Sequence, residues 1–338
     1  MPTPVLICDD SGFARRQMAR SIPDGWNVEI SFAEDGQQGI ELIKQGKADV
    51  MFLDLNMPVM DGYETMQVIK DQDLPTMVIV VSGDVQAEAY AKMMALGALA
   101  FIAKPIDNQK LCDILNQYGL YSGEATSQER AATVEVVARD NEPDKLDAYR
   151  EMANIAMGRA GEQLAKLLGE FINLPIPNVN LITNNEIHMA IVDLKRNTSV
   201  SAVSQGFIGS GINGEALVMF NDTNLTNIGK LLKYTHFSNH EEFELEALMD
   251  ISNILIGACL NALSEQLHIT FSHNHPIILG RHCDIDQLLD NKVVRWDKIL
   301  AIEIAYSIKS QDIHFDLLLL FPGDAMKLVF KKLVKTST

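Results

Sequence analysis

Five side chains able to handle a phosphoryl group stand where short apolar runs end. Asp9 and Asp10 close VLICDD, Asp54 closes DVMFLD, Ser82 closes TMVIVVS, and Lys104 follows AFIA. Clustered carboxylates repel one another and persist mainly where a cation compensates them. An all-oxygen ligand set suits a hard ion, and few ligands plus water suit Mg²⁺. A carboxylate beside Mg²⁺ and a Lys is a phosphoryl acceptor in waiting. It attacks in line while the metal, the ammonium and a hydroxyl hold the equatorial oxygens.

A second set recurs. Asp147, Glu151 and Asn154 are spaced i, i+4, i+7, and so are Glu246, Asp250 and Asn253. At helical period each trio shares one face. Asn154 lies 23 residues before Pro177, and Asn253 lies 23 residues before Pro276. A carboxamide offers a donor and an acceptor together, so it can hold a water in line without competing as a nucleophile. A carboxylate offers an ion pair to a Lys.

These residues need elements to position them. Over the first 120 residues five strand-like runs alternate with five helical ones, which predicts an α/β fold, a doubly wound five-stranded parallel sheet. In such a sheet the strand ends converge on one rim, where ligands bind. Residues 122–144 turn polar and small and read as a linker, helical around 127–139. Residues 145–338 repeat a helix–strands–helix order. The strands of the first half are HMAIVDL, SVSAVSQGFIG and GEALVMF, with a hairpin turn at 210–213; those of the second are HPIILG, LAIEIAYSI and HFDLLLLF. Two copies predict an α+β domain with pseudo-twofold symmetry. The expected division is therefore 1–121, 122–144 and 145–338.

Residues 4–118 resemble a CheY-like response-regulator receiver domain. The likeness is carried by Asp9-Asp10, by Asp54-Leu55-Asn56-Met57-Pro58 with Asp61-Gly62, by Ser82-Gly83 and by Lys104-Pro105. It implies phosphorylation of Asp54 by a partner histidine kinase. Mg²⁺ would be held by Asp10, Asp54 and the Asn56 carbonyl, with Asp9 acting through water. Ser82 and Lys104 would bind the phosphoryl group, and Phe101 occupies the aromatic switch position.

The repeated acid-x3-acid-x2-Asn-x22-Pro pattern, over about 145–335, looks like the CheC/CheX/FliY family of chemotaxis phosphatases, in a two-copy, CheC-like form. In that family the Glu binds a receiver's active-site Lys and the Asn orients the attacking water. The resemblance implies an aspartyl-phosphate phosphatase with Glu151 and Asn154 as one site and Asp250 and Asn253 as the other. The shorter Asp250 makes the second site the weaker. The substrate would be a CheY-like phospho-receiver in trans, or the chain's own receiver. The rival expectation is a non-catalytic binding module, gated by phosphorylation, docking on a receiver, a flagellar switch component or a receptor-modifying enzyme.

Composition sets outer limits. The chain has 338 residues, 47% of them hydrophobic, and a formal net charge of −17. That acidity, with no helix-turn-helix and no basic recognition helix, argues against nucleic acid as a partner. No basic-then-apolar leader opens the chain and no run of 18 apolar residues interrupts it, so a cytoplasmic protein without a membrane span is expected. Cys8, Cys112, Cys259 and Cys283 lack metal-type spacing and read as reduced thiols. His268, His273 and His275 are likewise not spaced as a metal site. The linker helix is the element that would mediate a homodimer.

Overall fold

The computed structural model describes residues 2–121, 142–183, 200–232, 240–283, 296 and 298–336. Most of the expected linker, its 127–139 helix and the expected strand at 188–194 lie outside the described residues. The chain forms two compact units, Met1–Glu151 and Met152–Thr338, and each is taken by itself.

The first unit alternates strand and helix: β1 (Thr3–Cys8), α1 (Gly12–Ser21), β2 (Val28–Ala33), α2 (Gly36–Lys44), β3 (Val50–Leu53), α3 (Gly62–Asp71), β4 (Met77–Ser82), α4 (Ala87–Leu96), β5 (Ala100–Ala103) and α5 (Asn108–Gln117). All strand pairs are parallel and the order is β2-β1-β3-β4-β5. Strand β3 is buried along its whole length because helices cover both faces, which is why VMFL is continuously apolar rather than alternating. Val5, Ile7, Phe52, Ile79 and Ile102 form the core with Leu111 of α5. Strand order reverses beside β1, with β2 on one flank and β3 on the other. That switch point opens a crevice at the carboxyl ends of β1 and β3.

Local signals set the helix ends. Ser11 caps α1 by accepting from the Ala14 N–H at 3.1 Å. Asp61 and Glu64 close α3 with a reciprocal capping box. Gly97 ends α4 at φ +107, a conformation that disfavours a Cβ. Gly62 matters for packing. A Cβ there would lie 2.4 Å from the Asp54 carbonyl oxygen and 2.8 Å from Leu55 Cα. Since this contact is with backbone, no side chain can swing away. Gly62→Ala is expected to cost about 1–3 kcal/mol through overpacking. Thermal unfolding of the variant checks this, and an unchanged melting temperature contradicts it.

Helix α6 (Glu142–Leu168) begins in the first unit, to which residues up to Glu151 belong, and continues into the second. The second unit then runs β6 (Asn178–Ile182), β7 (Val200–Gly209), β8 (Ile212–Asn221), α7 (Asp222–Leu231), α8 (His240–Leu267), β9 (Ser272–His273), β10 (Ile277–Cys283), β11 (Ile299–Ile308), β12 (Ile313–Pro322) and α9 (Gly323–Thr336). Its seven-stranded antiparallel sheet is ordered β10-β7-β8-β12-β11-β6, with β9 also on β7. The turn expected at 210–213 is a two-residue hairpin loop, Ser210 (φ 49) and Gly211 (φ 81), between β7 and β8. Pro177 and Pro276 each stand one residue before a strand at one end of the sheet path, β6 and β10. A residue without an N–H is tolerated at the start of an edge strand because no ladder bond is lost there.

Phe315 stacks between Phe220 and Tyr306, each ring 5.5 Å away, in the core of this unit. Glu242–Leu267 is long and apolar enough to cross a membrane by length and composition. Ala247, Leu248, Ile251, Leu255, Ile256 and Leu263 are all fully buried within the protein, which accounts for the apolar character without a membrane. Gln266 Nε2 donates to the Met152 carbonyl at 3.2 Å, tying α8 to α6 within the unit.

Candidate functional site

The parallel ladder runs one residue beyond the strands and thereby fixes the site. The Asp9 N–H donates to the Ala33 carbonyl (3.1 Å), the Asp54 N–H to the Cys8 carbonyl (2.9 Å), and the Lys104 N–H to the Ser82 carbonyl (2.8 Å). The side chains at these positions leave the ladder on the same rim. Lys104 Nζ lies 2.7 Å from Asp9 Oδ2, 3.2 Å from Asp54 Oδ1 and 3.0 Å from Glu151 Oε1. Asp9, Asp54, Lys104 and Glu151 are 6%, 2%, 4% and 3% exposed. Asp10 stands beside them, and one oxygen each of Asp9, Asp10 and Asp54 falls within a 4.8 Å cluster.

One ammonium thus faces three carboxylates, with a fourth adjacent. The electrostatics follow. Burial pushes the Glu151 carboxyl up to about 7, with Lys104 opposing and Asp9 adding to the rise. Burial and then Asp9 push Asp10 up to about 6. Burial raises Asp54 well above the usual carboxylate range, against the pull of Lys104. For Lys104 burial works downward, but Asp54, Asp9 and Glu151 outweigh it and hold the ammonium charged. A site with surplus carboxylate charge fits a further cation. Three aspartates in one small cluster fit Mg²⁺, which takes oxygen ligands and keeps part of its water.

Directed bonds hold the ring of acids in place. The Ser11 N–H donates to Asp9 Oδ1 at 2.9 Å and the Asn56 N–H to Asp54 Oδ2 at 3.1 Å. Arg15 was not singled out from the sequence, yet it clamps the acid pair. Its guanidinium donates to the Asp9 carbonyl at 2.7 Å and the Asp10 carbonyl at 3.3 Å, and reaches Glu34 at 2.8 Å. Its position in the first turn of the helix that follows Asp9-Asp10 was the available signal. Ser82 is fully buried, and its Oγ accepts from the Asp84 N–H at 3.1 Å. Phe101 is half-buried on β5, with its ring 5.7 Å from the exposed ring of Tyr90.

The repeated motif divides unequally. Glu151 is drawn into the Lys104 cluster of the first unit. Asp147, one turn earlier, accepts from the Phe13 N–H at 2.6 Å. Asn154 is 6% exposed, and its Oδ1 receives no hydrogen bond among the described residues. In the second copy Asp250 is half-buried, while Glu246 and Asn253 are exposed on α8.

Residues 5–116 match the family model of the response regulator receiver domain. The chain therefore carries a receiver domain at its N terminus, within the first unit. It is 38% identical over 102 residues to protein-glutamate methylesterase/protein-glutamine glutaminase 3 of Geobacter sulfurreducens, covering 30% of this chain and 27% of that protein. It is 30% identical over 168 residues to a protein-glutamate methylesterase/protein-glutamine glutaminase of Bacillus licheniformis, covering 47% of this chain and 46% of that one. Among solved structures, FliY of Thermotoga maritima is similar at 18% identity and a TM-score of 0.45, over 58% of this chain and 99% of that chain. The chain spans less than half the length of these two curated relatives.

These relatives correct the expected enzyme class. An aspartyl-phosphate phosphatase was expected, whereas the curated relatives bear the name of a methylesterase/glutaminase, a different activity. The geometry gives a physical reason not to read Glu151 as an anchor for another protein's Lys, because it is already engaged by Lys104 of its own chain.

Proposed function

We propose that the chain is a two-component response regulator of the chemotaxis type, acting in the cytoplasm. Its receiver accepts a phosphoryl group on Asp54 from a partner histidine kinase, and its second unit is a non-catalytic binding module gated by that event. The module docks on a receiver, a flagellar switch component or a receptor-modifying protein. The observation that carries this reading is the buried Lys104 ammonium 3.2 Å from Asp54 at the carboxyl rim of the parallel sheet.

In the proposed step an Asp54 carboxylate oxygen attacks the phosphorus. The new O–P bond forms as the bond to the donor breaks, and the leaving electron pair stays on the donor. Lys104 pairs with one phosphoryl oxygen and the Ser82 hydroxyl donates to another, which places fixed charge where negative charge spreads. Asp10, Asp54 and the Asn56 carbonyl would hold Mg²⁺, with Asp9 assisting through water. The ion supplies charge neutralisation on the phosphoryl oxygens when bound. Phe101, whose ring lies 5.7 Å from that of exposed Tyr90, would report Ser82 movement on β5.

For the second unit we propose a CheC-like fold with pseudo-twofold symmetry. It is supported by the equal spacing of Asn154 to Pro177 and of Asn253 to Pro276, and by the two prolines opening strands at opposite ends of the sheet path. Binding of a labelled CheY-like receiver and of a flagellar switch protein to the full chain tests the gating, with and without beryllofluoride and Mg²⁺. A change of about tenfold or more for one of them is expected, the size typical of coupling between two sites. Equal affinities in both states for every candidate contradict it.

The metal has its own readout. Mg²⁺ at a hundred times its dissociation constant should stabilise the first unit by about 2.7 kcal/mol, because it binds the folded state alone. Asp10→Asn should abolish the rise in melting temperature. A Mg²⁺-induced rise of the same size in that variant contradicts the ligand assignment.

A further inference from the structure

We infer that Glu151 is a built-in occupant of the phosphoryl site. Its carboxylate takes on Lys104 the place of a phosphoryl oxygen, so that phosphorylation of Asp54 and seating of the first turns of α6 exclude one another. The inference rests on the reading of Asp54 as phosphoryl acceptor and adds its regulation.

The seat is specific. Asp147 and Glu151 lie four residues apart and so share one face of α6. Glu151 places Oε1 3.0 Å from Lys104 Nζ. Asp147 Oδ2 accepts from the Phe13 N–H at 2.6 Å, at the amino end of α1, where the helix dipole favours a negative charge and the first turn of α1 has no acidic residue of its own. Ala148 and Tyr149 between them are 0% and 1% exposed. Asp54 is 2% exposed, so its nucleophilic oxygens are covered in this arrangement, and Glu151 is one of the groups around them.

A phosphoryl group brings roughly −1.5 to −2 charges and three strong acceptor oxygens. Lys104 then exchanges one anionic oxygen for another at little net cost. Glu151, left beside Asp9, Asp54 and the new charge, is repelled. Phosphorylation therefore unseats Asp147–Glu151, and by linkage the seated segment disfavours the phosphorylated state at equilibrium; the rate falls separately, in proportion to the fraction of chains that are open. Because α6 continues past Glu151 into the second unit, the same helix joins the phosphoryl site to the proposed binding module.

The test uses the full chain and radiolabelled acetyl phosphate with Mg²⁺. The initial rate of labelling should rise about tenfold in Glu151→Gln and in Glu151→Ala, as expected if the open state is about a tenth of the wild-type population. Glu151→Gln preserves volume, and its thermal melt verifies folding. In the reverse direction, beryllofluoride with Mg²⁺ should speed hydrogen exchange in peptides spanning 145–155 of the wild type. Equal initial rates in wild type and both variants overturn the inference, as does a change confined to the decay of the label. Exchange at 145–155 unmoved by beryllofluoride also overturns it. If neither wild type nor the Glu151 variants take up label, the Asp54 reading itself fails and the inference falls with it. Label present in Asp54→Asn has the same consequence.

Discussion

Asp54→Asn is expected to abolish Mg²⁺-dependent uptake of phosphate from acetyl phosphate while raising the melting temperature of the first unit. The two effects have one origin. Asp54 is 2% exposed, and burial raises its carboxyl well above the usual range, which means the folded state holds the charge at a cost. An amide of the same shape removes that cost and leaves Lys104 paired with Asp9 and Glu151. It also removes the nucleophile, since a carboxamide does not form the acyl phosphate. Label retained at the wild-type level contradicts the chemistry. A lowered melting temperature contradicts the electrostatic account.

Lys104→Met should act in the opposite sense on stability. One ammonium holds Asp9, Asp54 and Glu151 together in a region almost without solvent, and its removal leaves buried carboxylates uncompensated. Breaking a buried pair by deleting one partner costs about 3–5 kcal/mol. For a unit of this size that corresponds to a fall in melting temperature on the order of 10 °C. Adding Asp54→Asn to Lys104→Met should recover part of the loss, because neighbours in one network are not additive. Differential scanning calorimetry of the two single variants and the double variant checks both statements. A Lys104→Met chain as stable as the wild type would mean that the ammonium contributes no net stability to the acid cluster.

Asp9, Asp54, Ser82 and Lys104 were legible in the amino-acid sequence because a parallel α/β sheet has one rim for all its strand ends, so position along the chain translates directly into position in space. The hairpin was legible for a similar local reason, its turn expected over 210–213 and found at Ser210-Gly211. The seating of Glu151 was legible only in part: the resemblance pairs such a Glu with a receiver's Lys, in trans or on the same chain, and does not choose between them. It depends on a pairing between residues far apart in sequence, and helical periodicity says which residues share a face without saying what that face meets. The same limit applied to Arg15, whose partners at the acid pair are main-chain carbonyls that carry no side-chain signature.

The inequality of the two motif copies was read from the length of one side chain, Asp250 against Glu151. In the structure the larger difference is exposure: Glu151 and Asn154 are buried, whereas Asn253 is open. Identical spacing on two helices cannot report that difference, because burial is decided by what packs over the helix. The phosphatase expectation overreached for a related reason. It carried roles across on residue pattern, and pattern alone does not say whether Glu151 is available to another protein.

The most direct measurement is borohydride trapping of the full chain after incubation with acetyl phosphate and Mg²⁺, followed by mass spectrometry of its peptides. An aspartyl phosphate at the rim predicts reduction of Asp54 to homoserine, dependent on Mg²⁺ and absent in Asp54→Asn. Reduction at another residue, or none at Asp54 in the presence of Mg²⁺, would contradict the account.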